Sequence, residues 1–365
     1  MSTAQRVRVV PSPEHRRARR RRRRARRGAL ALVVALCVGG AAFLASSNDV
    51  GSGDGAPARP WECVSTSDLT VLASWEQLLH RPINCAVTFI DAAPTWQSWV
   101  DPWILQYRHN WPKYDWVDWM AGGHGHRHMV LTLSLIPADL KGSDWLAKGA
   151  EGAYAPYARA LAERLIRAGM GDAVIRLGHE ANGTWYVDSL PDTPAGDAEW
   201  ARFWRITALT MKAVPGAHFR FDWTVNPGVR PIPLASFYPG NRAVDVIGVD
   251  AYDDLAGPAP AGSGRLQTVL DQPDGLRAVR AFARAHHKPM SVPEWGVGPP
   301  AATGAGGAAG DDPAYVQALA GVFHAGGVLY EAYFDGGVQG PQLLHSPRSL
   351  AVLRRDFGPG GVAAP

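Results

Sequence analysis

Residues 173–183, AVIRLGHEANG, open as a β-branched apolar run and close on a charged cluster, Arg176, His179 and Glu180. A short apolar run of this kind reads as a buried strand, here Ala173–Glu180. Helical patterns stand on both sides of it. Tyr157, Leu161, Leu165 and Ile166 come before, and Trp200, Phe203, Trp204, Thr207, Ala208 and Met211 come after. Apolar residues at that spacing line one face of a helix. A strand between two helices is the repeating unit of an α/β domain.

The same alternation runs outward in both directions. Candidate strands are Glu62–Ser65, Asn84–Asp91, Met129–Ile136, Ala173–Glu180, His218–Asn226, Val244–Tyr252, Lys288–Glu294 and Gly327–Asp335, and a further helix carries Leu276, Val279, Phe282 and Ala283. Eight strands with intervening helices suit a (β/α)₈ TIM barrel, which typically needs about 250 residues plus insertions. A doubly wound open sheet would want a Gly-rich phosphate turn after an early strand, and none is present. The expected fold class is therefore α/β, a (β/α)₈ barrel over residues 61–345, with residues 346–365 as a C-terminal tail whose Gly-, Pro- and Ala-rich end is expected to be disordered.

Composition narrows the function. Hydrophobic residues make up 46% of the 365 and there are 14 Trp, which excludes a disordered chain. The net charge of +4 averages two unlike parts. Residues 1–27 hold 12 Arg against one acid, Glu14, a net of +11, so the other 338 residues carry −7. A nucleic-acid-binding domain needs its basic surface on the folded body, so no nucleic-acid partner is expected. The basic run Arg16–Arg27 precedes Ala29–Ala45, 17 residues without a charge. Basic residues before an apolar segment stay in the cytoplasm, which places everything after Ala45 outside. Residues 1–28 thus read as a basic n-region and residues 29–45 as a signal-peptide core or a transmembrane anchor. Ala45-Ser46-Ser47 is an acceptable cleavage site, while 17 residues also reach the short limit of a membrane span. Residues 46–60 are a Gly/Ser/Ala/Pro/Asp linker. Beyond it only Cys63 and Cys85 remain, most simply one disulfide in an exported domain.

The polar residues collect at strand ends. The fourth strand finishes with Arg176, His179 and Glu180, the fifth at Asn226, the sixth with Asp250 and Tyr252, and the seventh with Glu294 before Trp295. In a barrel those ends converge on the active-site face. Two carboxylates meeting there suit glycoside hydrolysis, one as proton donor and the other attacking the anomeric carbon. Trp185 and Tyr186 beside Glu180 would exclude water and raise its pKa, as an acid needs. Arg176 and Tyr252 could hold an anionic Glu294; Arg176 and Asn226 are also candidates for substrate contact, and Trp295, adjoining Glu294, is a candidate sugar platform.

At these residues the chain resembles glycoside hydrolase family 26, secreted retaining β-glycanases best known as endo-β-1,4-mannanases. The segments are RLGHEANGTWY (176–186), FYPGNRAVDVIGVDAY (237–252) and KPMSVPEWG (288–296), and the His-Glu pair before Asn-Gly is the specific part. The resemblance implies Glu180 as acid/base and Glu294 as nucleophile, with His179, Trp185 and Tyr252 lining the subsite where the bond is cut. It implies a polysaccharide substrate, β-mannan first, with no cofactor. Ala181 where the family often has Met, Val187 after Trp185-Tyr186, and the third-strand end LSLIPADLKG depart from the family pattern. They leave β-1,3-xylan or mixed-linkage β-glucan open as substrates. A non-catalytic carbohydrate-binding barrel is the reading from a different class.

Trp96, Trp99, Trp103, Trp111, Trp116 and Trp119 form the densest aromatic stretch, and some could serve distal sugar subsites. His124, His126 and His128 alternate in a Gly-rich loop without the helical spacing of a metal motif, so no metal site is expected.

Overall fold

The computed structural model describes residues 59–90, 93–122, 126–140, 144–191, 193–228, 230, 232–253, 263–297, 311–335 and 346–359. The strands are β1 (Trp61–Ser65), β2 (Cys85–Phe89), β3 (His128–Leu133), β4 (Val174–Leu177), β5 (Arg220–Val225), β6 (Val246–Val249), β7 (Ala251–Tyr252), β8 (Met290–Gly296) and β9 (Val328–Phe334). The helices are α1 (Leu69–Leu79), α2 (Trp96–Val100), α3 (Trp103–Gln106), α4 (Trp116–Ala121), α5 (Trp145–Ala150), α6 (Ala155–Arg167), α7 (Pro194–Lys212), α8 (Ser263–Asp271), α9 (Leu276–Ala285), α10 (Pro313–His324) and α11 (Pro347–Phe357). Local chemistry sets several of their starts. Asp68 caps α1 by accepting the Thr70 N–H, Thr193 caps α7 through Gly196, and Asp312 caps α10 through Tyr315.

Neighbours in the sheet follow the order β6-β5-β4-β3-β2-β1-β9-β8-β7, and β6 also pairs with β8, which closes the sheet. All the pairings are parallel. Asp250 interrupts one stave, leaving β6 and β7 on either side of it. The result is the closed eight-stave parallel barrel with surrounding helices expected from the sequence, and each of the eight candidate strands contains or overlaps an observed one.

The barrel interior is layered. Cys63, Cys85, Val87, Val130, Val174, Val246, Leu329 and Ala332 form one apolar cluster, with Tyr330 joining it. Cys63 and Cys85, on the adjacent staves β1 and β2, form the expected disulfide. Outward-facing strand residues, among them Val64, Leu131, Ile175, Phe221, Trp223 and Val292, pack against the helices in the larger core.

The C-terminal boundary differs from the sequence reading. Residues 347–357, assigned there to a tail, form α11, which packs on α10 and α1. Leu350, Leu353 and Phe357 are its buried stripe, at spacings of three and four. Arg81 donates to the Phe357 carbonyl (2.6 Å) and Arg354 to the Leu78 carbonyl (2.8 Å), tying α11 to α1. The apolar spacing was visible in the sequence, but the segment lacks a following strand and so falls outside the βα alternation. Residues 1–45 and most of the 46–60 linker lie outside the described residues, and so does the end of the chain after residue 359. No helix among the described residues is long and apolar enough to cross a membrane.

Phe357 is buried beside Trp295 and Phe323. Phe357→Ala is expected to destabilise the barrel by about 3–5 kcal/mol in urea unfolding, as large-to-small core changes do. A loss within about 0.5 kcal/mol, the size of an ordinary surface change, would show that α11 is only an appendage.

Candidate active site

Arg176 organises the site. It lies on β4 with its side chain inside the barrel, fully buried. Its guanidinium donates to the Glu294 carboxylate through Nη1, to Asp250 Oδ2 through Nη2 (2.6 Å) and to Thr224 Oγ1 through Nε (3.2 Å). Thr224 donates its own hydroxyl to Asp222 Oδ1 (2.8 Å), and Asp222 Oδ2 accepts from Ser291 and Tyr330, each at 2.5 Å. Gly248 borders this network so closely that a Cβ would meet Ser291 Oγ and Thr224 Oγ1 at 2.6 Å and Asp222 Oδ1 at 2.8 Å. Only glycine fits there.

The charges do not balance one for one. Burial disfavours the guanidinium charge, but Asp250 and Glu294 outweigh it and hold Arg176 protonated. That single cation serves Asp222, Asp250, Glu180 and Glu294 together. Burial pushes the Asp250 carboxyl well above its usual range despite the pull of Arg176, with the charges of Glu294 and Glu180 adding. Asp222 is also pushed up by burial.

The two glutamates sit in different surroundings. β4 stops at Leu177, and Gly178 turns the chain with φ +54°, where a Cβ would meet the Trp200 ring at 2.9 Å. Glu180 itself has φ +49°, uncommon for a residue with a side chain. Its N–H donates to the Thr224 carbonyl (3.0 Å) and its carbonyl accepts the Gly183 N–H (2.8 Å), which hold that conformation. The carboxylate accepts from Asn226 Nδ2 (2.6 Å) and Trp185 Nε1 (3.0 Å), both neutral donors. Burial raises its pKa first and the charge of Glu294 second. Glu294, by contrast, accepts from the Arg176 guanidinium and from the Tyr252 hydroxyl (2.7 Å). Burial and the Glu294 charge push the Tyr252 hydroxyl well up, so it stays a donor.

The other residues named from the sequence divide. Asn226 faces Glu180, and Asn182 holds the Asn226 backbone through bonds of 2.8 and 2.7 Å. His179 is buried edge-on to Phe89 and beside Tyr186, with ring centroids 5.7 and 4.2 Å away. Burial, then the charge of Arg176, lowers its pKa well below the usual value and leaves a neutral imidazole. Trp185 keeps 48% of its surface exposed, so an indole face stays open next to Glu180.

Trp295 is the correction. Ser291 faces the barrel interior while Met290 and Val292 face the helices, and strict alternation would then send Trp295 inward and Glu294 outward. The pairing instead steps from Val292↔Glu331 to Trp295↔Tyr333, three residues on β8 against two on β9. One extra residue at Pro293-Glu294 makes a bulge, and Pro293 has no N–H to give the ladder there. The bulge turns Glu294 to Arg176 and Tyr252, and turns Trp295 out to Phe323, Tyr333 and Phe357. Trp295 is 1% exposed and lies on the helix side of the barrel wall, away from the carboxylates.

Of the six clustered tryptophans, Trp99 and Trp116 are buried, Trp96 stacks on Tyr157, Trp103 donates to the Phe89 carbonyl and Trp119 lies under Arg127. Trp111, 55% exposed, is the one with an open face. His126 pairs with Asp172 and His128 stacks on Trp61, while His124 lies outside the described residues. The sequence reading missed the layer of Asp222, Thr224, Ser291 and Tyr330 beneath the glutamates. Their signal was inward parity across neighbouring strands, since Arg176 pairs in register with Asp222.

Because the Glu294 charge is a principal cause of the Glu180 shift, Glu294→Gln should lower the Glu180 pKa. Carbon NMR of the labelled carboxyl reads this directly. An unmoved or higher value would mean that the two groups do not sense each other.

The sequence pattern of glycosyl hydrolase family 26 matches residues 160–268, the segment holding Arg176, His179, Glu180, Trp185, Asn226, Asp250 and Tyr252. A comparison with curated proteins returns no match. Among solved structures, the catalytic domain of the Bacillus sp. JAMB-750 GH26 endo-β-1,4-mannanase is similar with TM-score 0.58 and 16% identity, over 84% of this chain and 88% of that one. A Cellulomonas fimi endo-β-1,4-mannanase double mutant gives TM-score 0.55 and 17% identity over 82% and 72%. Bacillus subtilis mannanase man26 gives 0.53 and 13% over 84% and 90%. At these identities the likeness is one of fold. Over the matched segment, and on the closed parallel barrel that contains it, this chain thus resembles glycosyl hydrolase family 26.

Proposed function

We propose that the chain is a retaining β-glycanase whose substrate is β-1,4-mannan. The observation that carries this reading is the pair of inward carboxyls in opposite settings. Glu294 accepts from a guanidinium and a phenol, while Glu180 meets neutral donors and has a raised pKa. In the first step Glu294 attacks the anomeric carbon and Glu180 protonates the departing glycosidic oxygen. In the second, Glu180 takes a proton from water, which attacks the same carbon and frees Glu294. The two displacements restore the starting configuration. Arg176 and Tyr252 hold the nucleophile aimed, Asn226 and Trp185 orient the acid, and the open Trp185 face stacks on a sugar ring. No cofactor is required, because the two carboxylates supply both the proton transfer and the covalent step.

The choice of mannan is supported by the family-26 motifs and by the substrates in the names of the similar structures. Export is supported by the basic run, the apolar segment that follows it and the Cys63–Cys85 disulfide, a bond that persists in oxidising compartments. The barrel then works outside the cell, released or held by its N-terminal segment.

Proton NMR of the first-formed sugar should show the β-anomer, and inversion would rule out Glu294 as a nucleophile. Glu294→Ala should abolish turnover, and Glu180→Gln should lower it by about 10²–10⁴-fold, the usual worth of a general acid. A panel of purified glycans should give the fastest release from β-1,4-mannan. Release from β-1,3-xylan or mixed-linkage β-glucan alone would transfer the same chemistry to that polymer.

A further inference from the structure

The bulge that aims Glu294 leaves a gap in the β8–β9 ladder, and something must hold it. Trp295 follows the bulge directly, and its indole N–H donates across the gap to the carboxyl of Glu331 on β9. Glu331 is buried on the outer face of the barrel, in register with Glu62 of β1. Arg81 is engaged with Glu62 rather than with Glu331. Burial, with the Glu62 charge adding, pushes the Glu331 carboxyl well up, so its neutral form is favoured and its carbonyl oxygen can accept the indole. Glu62, Arg81, Trp295, Glu331, Tyr333 and Phe357 line one small cleft between the staves, α1 and α11. Glu331 takes no part in the chemistry above, yet it touches the residue next to Glu294.

We propose that Glu331 is a positioning residue: by accepting the Trp295 indole N–H it locks the β8 bulge that turns Glu294 into the barrel. Without that bond the strand can relax toward regular alternation, which would carry the Glu294 carboxylate away from Tyr252 and Arg176. The inference rests on Glu294 being the nucleophile.

The test compares Glu331→Gln, Glu331→Met and Trp295→Phe with the wild type, on 2,4-dinitrophenyl β-mannobioside and by crystal structure. Gln keeps a neutral acceptor of the same shape, so its kcat should stay within about threefold. Met removes the acceptor and Phe the donor. Each should lower kcat by about 10–100-fold with KM nearly unchanged, since a displacement of about 1 Å can cost that much. In the crystals of both, the Tyr252–Glu294 hydrogen bond should be broken. Should Glu331→Met fail to fold, Trp295→Phe gives the same reading. Full kcat in either variant with that bond intact would overturn the proposal, as would an equal loss in Glu331→Gln. A wild type inactive on this and all other glycosides would instead remove the nucleophile reading, and the crystal geometry alone would then decide whether Glu331 sets the bulge.

Discussion

One buried guanidinium holds the site together. Arg176 is fully buried, and its three hydrogen-bonding nitrogens reach β5, β8 and the break between β6 and β7. A charge in that position is tolerable only when paired, and removing a partner from such a pair typically costs about 3–5 kcal/mol. The barrel must therefore bring its partners to it. The same cation also sorts the acids. It cannot neutralise four carboxyls, and burial pushes those of Glu180, Asp222 and Asp250 upward. Glu294 has the direct contact and Glu180 does not accept from it. That asymmetry is what two glutamates of the same intrinsic acidity need in order to take different parts in one reaction.

Backbone irregularity does the rest of the aiming. Regular strands can point residues only in or out, and both glutamates stand where the regularity fails. Glu180 follows the left-handed turn at Gly178, and Glu294 sits in the bulge at Pro293. Each irregularity is braced from outside the chemistry, by the Thr224 carbonyl and Gly183 N–H at the first and by the Trp295–Glu331 bond at the second. The Trp295 ring in turn rests on Phe357 of α11. The last helix, which looks dispensable in the βα pattern, thus forms part of the wall behind Glu294.

Sequence and structure agree where the physics is local. Short β-branched apolar runs, set between helices with apolar spacings of three and four, marked the eight staves, and a barrel followed because eight parallel staves with helices outside have few other ways to close. Arg176, His179, Glu180, Asn226, Tyr252 and Glu294 were legible because active-site residues of such a barrel gather where strands end. Cys63 and Cys85 were legible by elimination, as the only two cysteines beyond the apolar segment.

What the amino-acid order could not determine by itself was direction and partnership. Trp295 adjoins Glu294 in the chain, and nearness suggested a shared role, but a one-residue bulge sends the two to opposite sides of the barrel wall. The pairing of Arg176 with Asp250 and with Glu294, and the support of Asn226 for Glu180, join residues 46 to 118 positions apart. Such contacts depend on register between strands, and register is settled only when the sheet closes and every stave has two neighbours. Sequence thus set which chemical groups are present and roughly where each strand ends. Closure of the barrel decided which of them share a charge.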